Sequence, residues 1–206
     1  PSTGNGTVTV KTNATSVTVT NITDVPVGTN VTVNVTVDGV HKAGSKAIIT
    51  IISDSGSIIV QTVDVDADGK ASYSLALNKS GIYSVTAKYL GVDGVYTEST
   101  GYGFINVSMN ATVVSVENVT TRINESANIT ISVKDVYGNN VTGGTVTITV
   151  NGTKFGPFNV TDGKAVIEDV KVGFSGNFTV TAEYSGYDGV YEAQSSEGWI
   201  DVLKYN

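Results

Sequence analysis

The stretch Ser80-Gly81-Ile82-Tyr83-Ser84-Val85-Thr86-Ala87-Lys88-Tyr89 returns 95 residues later as Ser175-Gly176-Asn177-Phe178-Thr179-Val180-Thr181-Ala182-Glu183-Tyr184. Both copies run on into a matching tail, Gly91-Val92-Asp93-Gly94-Val95-Tyr96 and Gly186-Tyr187-Asp188-Gly189-Val190-Tyr191. A period of this size is too long for a solenoid repeat and suits a whole domain. The chain therefore reads as two copies of one module. Its 206 residues are enough to give each copy its own core.

Apolar residues alternate with polar ones throughout. In Asn30-Val31-Thr32-Val33-Asn34-Val35-Thr36-Val37 every second residue is valine. Period two places the valines on one face and Asn and Thr on the other, which describes a strand with one buried and one wet face. β-branched side chains suit that surface and disfavour helix. Strands are expected in the first module near 16–20, 30–37, 46–52, 57–63, 70–77, 82–89 and 103–107. The second repeats the series near 112–117, 127–133, 144–150, 153–160, 164–170, 177–184 and 198–203. Asp68-Gly69 and Asp162-Gly163 fall between strands as turn dipeptides. Seven short strands with regular turns describe an immunoglobulin-like sandwich, so the fold class is all-β, two tandem immunoglobulin-like β-sandwiches. In such sandwiches a tyrosine opens the penultimate strand two residues before a core position. Tyr83 and Val85 have that spacing, and Phe178 stands in the second copy, where a hydroxyl-mediated corner cannot form.

The net charge is −7 and no basic cluster occurs, which argues against a nucleic-acid partner. There is no cysteine, so stability must come from sheet packing. No run approaches the length of apolar residues a membrane span needs. The chain begins at Pro1 and its single methionine is Met109, so it is read as a processed product or an excerpt of a longer chain. The expected boundaries are an N-terminal extension over 1–11, one domain over 12–107 and a second over 108–206. The joint, Phe104-Ile105-Asn106-Val107-Ser108-Met109-Asn110-Ala111-Thr112, lacks Pro, a Gly run and a charge block, so it is expected to be rather stiff. The second module has nothing like 1–11 ahead of its own first strand. The extension carries the short alternation Thr7-Val8-Thr9-Val10. It is a candidate donor strand, pairing with its own module or filling an edge in a neighbouring subunit.

Val136-Tyr137-Gly138-Asn139-Asn140-Val141-Thr142-Gly143-Gly144-Thr145-Val146-Thr147-Ile148-Thr149-Val150-Asn151-Gly152, with Asp162-Gly163-Lys164-Ala165 and Val180-Thr181-Ala182-Glu183-Tyr184 after it, resembles the tandem bacterial immunoglobulin-like repeats. Those repeats are abundant in adhesin-like surface proteins of bacteria and methanogenic archaea. The resemblance covers nearly the whole chain and implies an architecture, not a ligand. The first module departs from it, since Val37-Asp38-Gly39-Val40-His41-Lys42-Ala43-Gly44-Ser45 lacks the double glycine.

Of seventeen asparagines, fifteen begin Asn-x-Ser/Thr with no proline at x: Asn5, Asn13, Asn21, Asn30, Asn34, Asn78, Asn106, Asn110, Asn118, Asn124, Asn128, Asn140, Asn151, Asn159 and Asn177. A composition this rich in Ser and Thr produces only about four or five such sequons by chance, so covalent N-glycans are the expected partners. Asp64, Asp66 and Asp68 have the opening spacing of a calcium loop, but Leu75 stands where its bidentate glutamate belongs, and a hairpin turn explains them as well. One histidine, His41, cannot by itself build a triad, and no nucleophile motif accompanies it. Lys11, Asn106 and Glu98 are a candidate isopeptide set, which does not repeat because Ser108 and Asp201 replace the first two. Tyr89, Tyr96, Tyr102, Tyr184, Tyr187 and Tyr191 gather toward one end of each module, as packing or as a binding face.

The expectation is a non-enzymatic, extracellular structural or adhesion protein without cofactors, on a prokaryotic and specifically archaeal cell surface. Its ligand, on a host or a neighbouring cell, is not specified by these residues. The alternative is a subunit of a self-assembling filament or pilus, joined to identical subunits by donation of the N-terminal strand.

Overall fold

The computed structural model describes residues 3–205; Pro1 and Ser2 of the candidate donor strand, and Asn206, lie outside the described residues. Every regular element is a strand. The chain divides between Ser108 and Met109 into two compact units.

The first unit holds β1 (Ser16–Val19), β2 (Ile22–Pro26), β3 (Asn30–Asp38), β4 (Ser45–Ile52), β5 (Ile58–Val65), β6 (Lys70–Ala76), β7 (Gly81–Tyr89) and β8 (Ser99–Ser108). They form a three-stranded sheet in the order β1-β3-β6 and a five-stranded sheet in the order β2-β8-β7-β4-β5. The second unit holds β9 (Thr112–Val116), β10 (Val119–Arg122), β11 (Ala127–Asp135), β12 (Thr145–Val150), β13 (Thr153–Asn159), β14 (Lys164–Val170), β15 (Gly176–Tyr184) and β16 (Gln194–Leu203). Its sheets repeat the plan as β9-β11-β14 and β10-β16-β15-β12-β13.

Alternation sets which residues fill each sandwich. Along β3 the valines at 31, 33, 35 and 37 are buried while Asn30, Thr32 and Asn34 face out. Ile49, Ile51, Val85 and Ile105 meet them from the other sheet's inner face. In the second unit Ile129, Ile131, Ile148, Ile167 and Ile200 are fully buried and belong to one core cluster. Removing such side chains from water is the main source of stability in a chain without disulfides.

Each unit has eight strands, not seven. The additional ones, β2 and β10, pair in parallel with the last strands, β8 and β16. After β1 pairs with β3, the chain crosses to the other sheet and continues as β2. These pieces escape the period-two reading because they are short, and β2 is interrupted. Its pairing shifts between Ile22 and Val25, where Asp24 takes φ +59°. The last strands also begin about four residues earlier than expected, at Ser99 and Gln194. Gly101 falls just before the expected strand and Gly103 opens it, and both lie in β8 where β1 passes close. A Cβ on Gly101 would sit 2.4 Å from the Val17 carbonyl oxygen, and one on Gly103 2.7 Å from Val19 Cγ1.

The corner expected at Tyr83 is formed: its hydroxyl donates to the Lys79 carbonyl at 2.8 Å. Phe178 is half-buried against the second core instead.

Candidate functional site

The largest set of candidate residues is the sequons, and the sheets dictate where they lie. Thirteen of the fifteen are exposed, Asn106 and Asn110 are half-buried, and none is buried. Asn34 on β3 and Asn128 on β11 occupy outward positions between buried neighbours, and Asn30 stands outward at the start of β3. Asn78 lies between β6 and β7, Asn151 in the β12–β13 hairpin and Asn159 at the end of β13. Asn124 and Asn151 take φ +59° and +47°, the left-handed region that asparagine tolerates better than most residues.

The side chains of Asn21, Asn118 and Asn140 also take part in the fold. Asn21 Oδ1 accepts from the Phe104 amide at 3.1 Å, and Asn118 Oδ1 accepts from the Trp199 amide at 2.9 Å. These are equivalent places, where the chain has just left β1 or β9 and the carboxamide oxygen satisfies an amide of the last strand. The sugar-accepting nitrogen is a different atom, so this role and a glycan are compatible. At Asn140 it is the nitrogen that is engaged, Nδ2 donating to Asp162 Oδ1 at 3.0 Å.

Asp64 and Asp66 have other tasks. Asp64 pairs with Lys46 at 2.6 Å across β4 and β5. Asp66 Oδ1 accepts from the amides of Asp68 and Lys70 at 2.9 and 2.8 Å, closing the β5–β6 turn. Asp68 stands exposed before Gly69, whose φ is +72° and whose added Cβ would lie 2.1 Å from the Val37 carbonyl oxygen. Among the described residues no three His, Cys, Asp or Glu side chains gather closely enough to hold a metal ion. His41 is exposed in a loop, its amide donating to the Tyr96 hydroxyl at 3.2 Å. Lys11 lies exposed outside the sheets, and Glu98 pairs with Lys88 at 2.9 Å.

The tyrosines sort by depth. Tyr89 and Tyr184 are core residues, Tyr96 and Tyr191 are half-buried, and Tyr102 and Tyr187 are exposed. Tyr184 donates to the Gly143 carbonyl at 3.0 Å, and the Tyr187 ring lies 2.8 Å from where a Cβ on Gly143 would stand. Gly144 is equally tight, its added Cβ 2.7 Å from Tyr184 Cε2. The double glycine of the second unit is thus a seat for two tyrosines. In the first unit Ser45 is buried, and neither its hydroxyl nor that of Tyr89 has a hydrogen-bonding partner.

A further feature repeats that residue types alone did not single out. The Asn13 amide donates to the Val95 carbonyl at 2.8 Å, and the Thr97 amide donates to the Asn13 carbonyl at 3.0 Å. Asn110 makes the same pair with Val190 and Glu192, at 2.8 and 3.0 Å. Two residues on, Thr15 Oγ1 donates to the Thr97 carbonyl at 2.8 Å, and Thr112 Oγ1 to the Glu192 carbonyl at 3.0 Å. Asn-Ala-Thr is therefore a clip that fastens the start of each unit to the loop before its last strand. The signal in the sequence is the identical tripeptide at 13–15 and 110–112.

Strand order and core define a tandem pair of immunoglobulin-like sandwiches. Among solved structures the chain is similar to invasin, a bacterial integrin-binding protein, with a TM-score of 0.52, 21% identity, and coverage of 92% of this chain and 39% of that one. It is also similar to a tetra-tandem repeat in the extending region of a large adhesion protein, at TM-score 0.47 and 19% identity, covering 92% of this chain and 49% of that one. A two-domain fibronectin type III segment of chicken tenascin gives 0.45 and 16%, covering 89% of this chain and 95% of that one. The chain thus spans half or less of the two adhesion proteins' segments. At such identities the shared property is the fold. No protein-family model matches the sequence, and no curated protein matches it.

Proposed function

We propose that the chain is a non-enzymatic structural and adhesion segment of an extracellular, N-glycosylated protein, built of tandem immunoglobulin-like modules on a prokaryotic, archaeal cell surface. The observation that carries this reading is the placement of the sequons: fifteen are present and none is on a buried position. A glycan needs an accessible asparagine, and a strand's wet face holds one without disturbing the core. The likeness to repeats of adhesion proteins supports the architecture part of the reading. Glycopeptide mass spectrometry of the protein from its source cells tests it. Sugars are expected on Asn30, Asn34 and Asn128 among others, with Asn140 unmodified or the least occupied; a map with every sequon bare overturns the reading.

A filament subunit is the second reading. It is favoured by one observation: residues 3–11 lie in no strand, with Val8 and Val10 exposed. Electron microscopy of native material tests it, since regular fibres repeating every two modules support it and isolated rods of variable length do not.

A further inference from the structure

Residues 3–11 pair with nothing in the first unit, yet they carry the pattern of a strand. Their counterpart stands at the end of the first unit, in β8. Ser2-Thr3-Gly4-Asn5-Gly6-Thr7-Val8-Thr9-Val10-Lys11-Thr12-Asn13-Ala14-Thr15 aligns without a gap to Ser99-Thr100-Gly101-Tyr102-Gly103-Phe104-Ile105-Asn106-Val107-Ser108-Met109-Asn110-Ala111-Thr112, and eight of the fourteen positions are identical.

The matching positions are the ones β8 needs for its place. Gly101 and Gly103 leave room for the close passage of β1, and Gly198 does the same for β9, where an added Cβ would lie 2.6 Å from Val116 Cβ. At Gly4 and Gly6 nothing lies within 4 Å. Ile105 and Val107 are 0% and 2% exposed, whereas Val8 and Val10, which align with them, are 87% and 81% exposed. The alignment then runs on into the clip, so in both places the pattern of a last strand precedes Asn-Ala-Thr by the same spacing. Glycines for a crossing that is not there and inward valines with no core describe a strand of some other sandwich.

We infer that residues 3–11 are the closing strand of a third immunoglobulin-like module, which precedes them in chain order and supplies the remaining strands. Val8 and Val10 are core residues of that module, and Gly4 and Gly6 admit its first strand. In a second copy of this chain β8 and β16 already fill the closing place in both modules, so such a copy would have to take the strand at a free sheet edge instead. The inference rests on the tandem fold and not on glycosylation. Bare sequons overturn the surface reading and leave this one standing, and the test below bears only on the strand.

The test is a fusion in which residues 110–192 are placed directly ahead of Pro1 of the full chain. Residue 1 then follows where residue 193 would, and residues 3–11 take the place of β16. Amide hydrogen exchange is followed at Thr7–Lys11, alongside unfolding monitored by circular dichroism. Protection at those amides is expected to rise on the order of a hundredfold or more over the unfused chain. The double substitution Val8→Asp with Val10→Asp should abolish that protection and unfold the added module, while leaving the unfolding of the unfused chain unchanged. The inference is overturned if those amides exchange as fast in the fusion as in the unfused chain, while a fusion carrying residues 110–203 with β16 intact gains a folded third module. It is equally overturned if the unfused chain forms fibres that the Asp variants dissolve, because a copy of the chain would then be taking up the strand.

Discussion

The Tyr83 hydroxyl donates to the Lys79 carbonyl 2.8 Å away, and in the second unit Phe178 occupies the same place with nothing to donate. Burial first, and then the nearby Asp54 carboxylate, raise the Tyr83 hydroxyl above the ordinary tyrosine pKa, which keeps it a donor. Tyr83→Phe is expected to lower the stability of the first unit by about 1 kcal/mol. Phe178→Tyr, which restores a hydroxyl at the position equivalent to Tyr83, is expected to raise that of the second by a similar or smaller amount. Urea unfolding of each variant, followed by residue-resolved signals from both units, checks the pair.

Tyr184 and Tyr89 hold equivalent core places with different partners, so the same change should have different effects. Tyr184→Phe removes the bond to Gly143 and should cost about 1 kcal/mol, while Tyr89→Phe removes an unpartnered buried hydroxyl and should cost nothing or stabilise. Thermal unfolding of the two variants decides it.

Burial, with Tyr191 and Tyr187 close by, pushes the Tyr184 pKa up to about 12. The folded state therefore keeps a proton that the unfolded chain releases near pH 10. The contribution is fully present below pH ~10 and is lost as the pH climbs toward the folded value. Unfolding midpoints of the second unit should fall over that window, and Tyr184→Phe should flatten the fall.

Asp135 is buried and organises the β11–β12 turn, accepting from the amides of Tyr137 and Asn139 at 3.0 and 2.8 Å and from Asn139 Nδ2 at 2.9 Å. Burial alone would raise its pKa; these hydrogen bonds outweigh burial and hold it below the usual carboxylate range. Its contribution is present above the unfolded pKa, near ~3.9, and fades as the pH falls through the lower folded value. Asp135→Ala should cost the second unit about 2 kcal/mol at neutral pH and remove that part of its acid sensitivity. Guanidinium titrations at pH 7 and pH 2.5 compare the two proteins.

Gly103→Ala and Gly198→Ala should each destabilise their unit by about 1–3 kcal/mol, since the new methyl meets Val19 or Val116 at under 3 Å. Gly4→Ala and Gly6→Ala, with nothing within 4 Å, should leave the unfolding of this chain unchanged. Differential scanning calorimetry of the four variants checks the contrast.

The sandwich was legible wherever burial on one face imposed period two, as in Asn30-Val31-Thr32-Val33, where alternation, strand and core coincide. It was not legible where a strand's neighbours lie far off in sequence. Val119-Thr120-Thr121-Arg122 has too few residues to show a period, and only pairing with Ile200–Leu203 makes it a strand. The expected strand over 103–107 leaves out Gly101 and gives no reason for Gly103, because glycine's usual meaning in a sequence is a turn. Here they mark a close approach that only tertiary structure reveals. The sequons were readable one by one, but the engagement of Asn140 Nδ2 with Asp162, 22 residues away, was not.

The parallel pairing of β2 with β8 has a mechanical consequence. Ile22 faces Ile105 and Pro26 faces Ser108, so the chain enters this ladder at one end and leaves it at the other. Tension between those two points slides one strand along its partner and strains every rung together. An antiparallel pair pulled from adjacent ends would instead peel open one bond at a time. β10 and β16 share the arrangement. Each unit therefore meets a lengthwise pull in shear, the direction in which a short ladder yields last.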